Sequence, residues 1–179
     1  MTERRRRIDI VSSPEFVDEL ADITLDELRE RRALCDELDT ELSYYRRLLH
    51  GRMDLLGFEL RRRSGEEARS LIEALPEILA GSETAGAGST GRAIPVEIPD
   101  VPSTGKRSVD RVLVDDFLAH LPTIDDDELE TIQVDLTEAE REVSDQRRAV
   151  YEAYEKIQSE LTNRYRQGID NIDELLAGS

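Results

Sequence analysis

Apolar residues recur along the chain at helical, not strand, spacing. From Leu28 they return every seventh residue, at Cys35, Leu42, Leu49 and Leu56, with Leu38 and Tyr45 between them. Arg31 and Arg52 interrupt this second row. The pattern is a heptad seam with defects, which predicts a coiled-coil helix. Thr24-Leu-Asp-Glu27 is a capping box at its start, with Ile23 and Leu28 placed as a hydrophobic staple. No proline follows before Arg63, so the helix extends roughly 60 Å. A second seam runs through Leu129, Ile132, Leu136, Ala139, Val143, Val150, Ala153, Ile157 and Leu161, with Gln146 as its polar interruption. That helix is predicted from about Thr123–Asp126 to about Leu176. Asp125, Asp126 and Asp127 sit at its start, where the positive end of the helix dipole favours them.

The remaining segments lack such order. Residues 1–22, including the run Arg4–Arg7, read as an N-terminal tail. Residues 66–79 form a short amphipathic stretch crossed by Pro76, so 23–80 hold the first long helix and a short one. Residues 81–107 contain five Gly, three Pro, three Ser and three Thr, which predicts a flexible linker. Ser108 can cap a short helix through His120, stopped by Pro122. Residues 123–179 carry the second long helix. Two narrow seams, each unstable alone, should pair with each other. The predicted fold is all-α: two long helices in an antiparallel coiled-coil hairpin, with short extra helices and a flexible central linker.

Charge narrows the functions available. The 179-residue chain has 41 acidic and 24 basic residues, a formal net charge of −17. That balance disfavours direct DNA binding, which needs an excess of Lys and Arg. Acidity is concentrated: residues 108–145 hold thirteen acids and two bases. A solvated acidic face is one reading, and a contact surface for a basic protein is the other. One Cys and two His, His50 and His120, leave no structural zinc set, and no metal is expected. No apolar run spans a membrane and the amino end lacks a signal-peptide core, so a cytoplasmic protein is expected.

The candidate chemistry lies in a polar stripe on the first helix: Asp39, Ser43, Arg46, His50 and Asp54. At 100° per residue these fall within an arc of about 80° beside the Leu seam. Arg46 is a planar fork suited to phosphate oxygens or the O6/N7 edge of guanine. A carboxylate such as Asp54 can accept from guanine N1–H and N2–H₂, and Ser43 and His50 can donate to phosphate. Gly51 adjoins the stripe and costs a helix interior about 1 kcal/mol against Ala, which a closely approaching flat ligand would rationalise. Intrahelical pairs on a wet face are the plainer alternative. The same spacing recurs at Glu155, Ser159, Thr162, Arg166 and Asp170 on the second helix. Two such stripes suit a ligand of two-fold character.

These motifs resemble the RsiG-type anti-sigma factors, which carry Glu-x3-Ser-x2-Arg-x3-Gln-x3-Asp on each helix of an antiparallel coiled coil. Asp39-x3-Ser43-x2-Arg46-x3-His50-x3-Asp54 keeps Ser, Arg and the final Asp. Glu155-x3-Ser159-x2-Thr162-x3-Arg166-x3-Asp170 keeps Glu, Ser and Asp and departs at the two middle positions. The segments 41–54 and 70–79 are also similar to the family. The resemblance implies an anti-sigma factor that binds a cyclic di-GMP dimer between its two helices. In that form it would sequester a sporulation sigma factor of the WhiG type and block transcription. It implies these ten residues as the ligand set.

Two other readings compete. A non-catalytic coiled-coil adaptor would use the acidic helix for docking and bind no nucleotide. An enzyme finds no support in the motifs: there is no Gly-rich phosphate loop and no metal-ligand cluster, and Cys35 lies on the seam as packing.

Overall fold

The computed structural model describes residues 6–84, 109, 112–113 and 120–177, with the backbone alone for 79–84 and 169–177. Its helices are α1 (Arg7–Val11), α2 (Leu25–Ser64), α3 (Leu71–Thr84) and α4 (Asp126–Ala177). Single 3₁₀ turns occupy Pro14–Phe16 and Leu121–Thr123. No strand occurs among the described residues, and α2 packs against α4 as an all-α hairpin. The expected linker overlaps α3 at residues 81–84. From 85 to 107 it lies outside the described residues.

The chain divides into two compact units: Met1–Thr40 with Asp145–Ser179, and Glu41–Ser144. In the first unit Leu28, Cys35 and Leu38 of α2 are buried with Val150, Ala153, Ile157 and Leu161 of α4. Pairing of Arg29 with Tyr165, and of Asp39 with Arg147, shows the two helices running antiparallel. In the second unit Leu42, Tyr45, Leu49 and Leu56 are buried with Leu129, Leu136, Ala139 and Val143. There Arg46 meets Glu140 and Arg63 meets Asp126, again antiparallel.

Local chemistry sets the helix ends. The Thr24 hydroxyl accepts from the Glu27 N–H at 3.2 Å, while the Glu27 carboxylate accepts from Arg31. Asp125 caps α4 by accepting from the Glu128 N–H at 2.8 Å. Gly65 ends α2 with φ of +83°, and the Gly65 and Glu66 amides return to the Arg62 and Arg61 carbonyls. That is a Schellman ending, which glycine adopts without strain. Ser70 and Glu73 form a reciprocal capping box on α3. Pro76 does not stop α3. It sits on an exposed turn with Ile72, where water can serve the carbonyl that a proline leaves unbonded.

The two arginines that interrupt the α2 seam have specific roles. Arg31 lies over the Phe16 ring, 5.4 Å from its centroid, and donates to the Phe16 carbonyl. Phe16 and Val11 are buried, so the segment expected as a tail is anchored over residues 6–22. Arg52 donates to the Val112 carbonyl at 2.7 Å. Val109 is buried and accepts from the Leu113 amide, a helical bond; the rest of the helix expected from Ser108 to His120 lies largely outside the described residues.

Candidate functional site

Helix α2 places Asp39 in the first unit and Ser43, Arg46, His50 and Asp54 in the second. Asp39 accepts from Arg147 Nε at 2.8 Å, both side chains being about half exposed. Arg46 Nε donates to Glu140 Oε1 at 3.1 Å. His50 Nε2 lies 3.1 Å from the same oxygen, and Ser144 Oγ donates to it at 2.8 Å. Burial pushes the Glu140 carboxyl up, but the bonds from Ser144, His50 and Arg46 outweigh that and hold it below the usual carboxylate range. Ser43 is half-buried and Asp54 exposed.

The second stripe expected from the sequence lies apart from these bonds. Glu155, Ser159 and Arg166 are exposed, and Thr162 Oγ1 donates to its own helix at the Gln158 carbonyl, 2.8 Å away. Asp170 is helical but its side chain lies beyond those described. What stands against Asp39 and Arg46 is instead Arg147 and Glu140.

These partners reveal a better second copy. Glu140, Ser144, Arg147, Tyr151 and Glu155 each follow their counterparts Asp39, Ser43, Arg46, His50 and Asp54 by 101 residues. The carboxylate that opens each copy pairs with the arginine of the other. The same separation relates Leu20 to Leu121, Ile23 to Ile124, Asp26-Glu27-Leu28 to Asp127-Glu128-Leu129, Glu59-Leu60 to Glu160-Leu161, and Arg63 to Arg164. Glu155 thus also falls in this series, at the position of Asp54. The signal was in the sequence as a constant offset, and an Arg at the third position was its sharpest mark.

The comparisons bear on the first of these copies. Residues 14–79 match a family model described as RsiG-like. This segment is RsiG-like. No curated protein matches the chain. The RsiG-like segment spans all of α2 and enters α3, so it contains the first copy whole, while the second lies outside it.

Other chemistry is sparse. Burial pushes the Cys35 thiol up to about 11, with Asp36 adding to the effect, so little reactive thiolate exists at neutral pH. Among the described residues no cluster of three or more His, Cys, Asp or Glu could hold a metal, and no helix is long and apolar enough to cross a membrane.

Proposed function

We propose that this chain is an anti-sigma factor gated by cyclic di-GMP. It binds the nucleotide as a dimer between α2 and α4 and in that form sequesters a sporulation sigma factor of the WhiG type. The RsiG-like segment supports the anti-sigma role, with a sigma factor as partner. The observation that carries the ligand assignment is the paired stripe: Asp39, Ser43, Arg46, His50 and Asp54, repeated as Glu140, Ser144, Arg147, Tyr151 and Glu155. Each copy offers an arginine fork for phosphate or guanine O6/N7, a hydroxyl donor, and a terminal carboxylate for guanine N1–H and N2–H₂. This set replaces Ser159, Thr162, Arg166 and Asp170 as the contribution of the second helix and retains Glu155.

The ligand has work to do on arrival. Arg46 and Arg147 already hold carboxylates. A phosphodiester must draw these guanidinium groups away, leaving Glu140 and Asp39 free to accept from base N–H groups. A change of partner of this kind gives the differential affinity that any ligand-driven switch requires.

One observation favours a second reading, the coiled-coil adaptor: the same salt bridges satisfy the stripe without a ligand. Size-exclusion chromatography of the chain with a WhiG-type sigma factor separates the two. A gated anti-sigma factor co-elutes with its sigma factor only when cyclic di-GMP is present. Co-elution unaffected by the nucleotide supports the adaptor, and no co-elution in either condition removes the sigma factor as partner.

A further inference from the structure

A pair of apolar heptad seams specifies its axial register weakly. Sliding one helix by seven residues, about 10 Å, again places apolar residue against apolar residue. Groups with fixed polar partners lift that degeneracy, because a slip strands them. Two such groups recur 101 residues apart.

In the first unit Arg164 donates through Nη1 to the Ile23 carbonyl at 2.7 Å. Its Nη2 serves the Leu20 and Ala21 carbonyls at 2.6 and 2.9 Å, and its Nε is held by Glu160 at 2.8 Å. In the second unit Arg63 donates through Nη2 to the Ile124 and Leu121 carbonyls at 2.7 and 3.3 Å. Its Nε is held by Glu59 at 2.8 Å, and its Nη1 reaches Asp126. The correspondence extends to three acceptors of each arginine, Glu160 matching Glu59 and two carbonyls matching in turn. Ile23 and Ile124 immediately precede the caps Thr24 and Asp125, and Leu20 and Leu121 lie three residues earlier. Each arginine thus ties the turn that opens one long helix to the far part of the other.

We infer that Arg63 and Arg164 are positioning residues that select one heptad register of the α2–α4 hairpin. The selected register is the one in which Asp39 meets Arg147 and Arg46 meets Glu140. Each arginine and its nearest bridge are related identically: Arg164 and Arg147 lie seventeen residues apart on α4, as do Arg63 and Arg46 on α2. The acceptors are backbone carbonyls fixed by the turn, so a slip of seven residues takes them out of reach of either arginine. The planar fork matters, because each arginine serves four acceptors, and a lysine ammonium has only three N–H donors on one compact centre. The register claim stands without any ligand. Its bearing on nucleotide affinity rests on the function proposed above.

The test is a distance measured in the full chain by pulsed electron resonance. Spin labels go on cysteines introduced at Glu30 and Glu152, both exposed in the first unit, in a Cys35→Ser background. The parent should give one distance. The double variant Arg63→Ala/Arg164→Ala should keep its helical ellipticity and add a second population at a distance shifted by up to about 10 Å. The variant Arg63→Lys/Arg164→Lys keeps the charges and protects against loss of folding in the alanine pair. It should show the second population too, because lysine lacks the fork. A lysine variant with the single parental distance overturns the inference, even if its melting temperature falls. Failure of cyclic di-GMP to bind the parent leaves this distance test intact and counts only against the proposed function.

Discussion

The two units hold equivalent salt bridges in different surroundings. In the first, Asp39 and Arg147 meet through one bond, about half exposed on each side. In the second, Glu140 receives Arg46, His50 and Ser144 and is itself only 23% exposed. The divergence traces to the Ser144 hydroxyl, which bonds Glu140, and above all to the next position of the stripe. His50 turns to Glu140, whereas its counterpart Tyr151 is 59% exposed and its phenol is raised by the hydrogen bond to Glu155. One copy of the repeat has drawn its middle side chain into a network, and the other presents a ring to solvent. Equivalent arginines are therefore held unequally: releasing Arg46 disturbs a carboxylate shared with His50 and Ser144, whereas releasing Arg147 breaks one bond to Asp39.

The largest contrast is between Glu59 and Glu160. Glu59 is fully buried and held by Arg62 and Arg63, whose hydrogen bonds lower its carboxyl against the upward push of burial. Glu160 is 23% exposed. Glu59→Ala should destabilise by about 3 kcal/mol, since it strips a buried charge from its partners. Glu160→Ala should cost about 1 kcal/mol. Urea unfolding measures both, and equal losses would erase the contrast.

Next come the arginines of the stripe. Arg46→Ala and Arg147→Ala should each weaken cyclic di-GMP binding tenfold or more. Their effect on stability should stay at about 1 kcal/mol, since both arginines are partly exposed. Arg29→Ala, outside the stripe, should leave affinity unchanged. Titration of the three variants checks this, and three equal, small effects would return the stripe to a solvated face.

Gly51 gives a smaller, opposite effect. A Cβ there meets nothing within 4 Å, so Gly51→Ala should stabilise α2 by about 1 kcal/mol. If a flat ligand lies against that backbone, affinity should fall while stability rises. A rise in both would show that the ligand does not approach Gly51.

The smallest effect is with pH. Glu140 is lowered in the folded chain, so its contribution is complete above its unfolded value and is lost as pH falls through the folded one. The melting temperatures of the parent and Glu140→Gln should differ at pH 7 and converge in acid below the usual carboxylate range. A constant gap down to pH 3 would contradict the network described around Glu140.

Much of the fold could be read from residue spacing. The seams from Leu28 to Leu56 and from Leu129 to Leu161 lie on α2 and α4, and Thr24 and Asp125 mark where these helices begin. The anchored N-terminal segment was less legible, because Val11 and Phe16 are only two apolar points without a period. Its dock, Arg31, reads as a fault in the seam until the Phe16 ring is seen beneath it. The polar stripe of Asp39, Ser43, Arg46, His50 and Asp54 was legible as a narrow arc because these residues recur at helical spacing. The 101-residue repeat was not read, so the second stripe was set at Glu155, Ser159, Thr162, Arg166 and Asp170. Matching by acidic residues discriminates poorly in a chain with 41 of them, and heptad-compatible spacings recur along any long helix. Arginine at the third position and the 101-residue offset carry more information, as do the reciprocal bridges they produce.

The central claim is that Arg46 and Arg147 both hold nucleotide. Calorimetric titration of the full chain with cyclic di-GMP, beside Arg46→Ala and Arg147→Ala, tests it most directly. The account predicts micromolar or tighter binding of about two nucleotides per chain, lost on substitution of either arginine. Absence of heat at several temperatures, or an Arg147→Ala variant that binds like its parent, would contradict it.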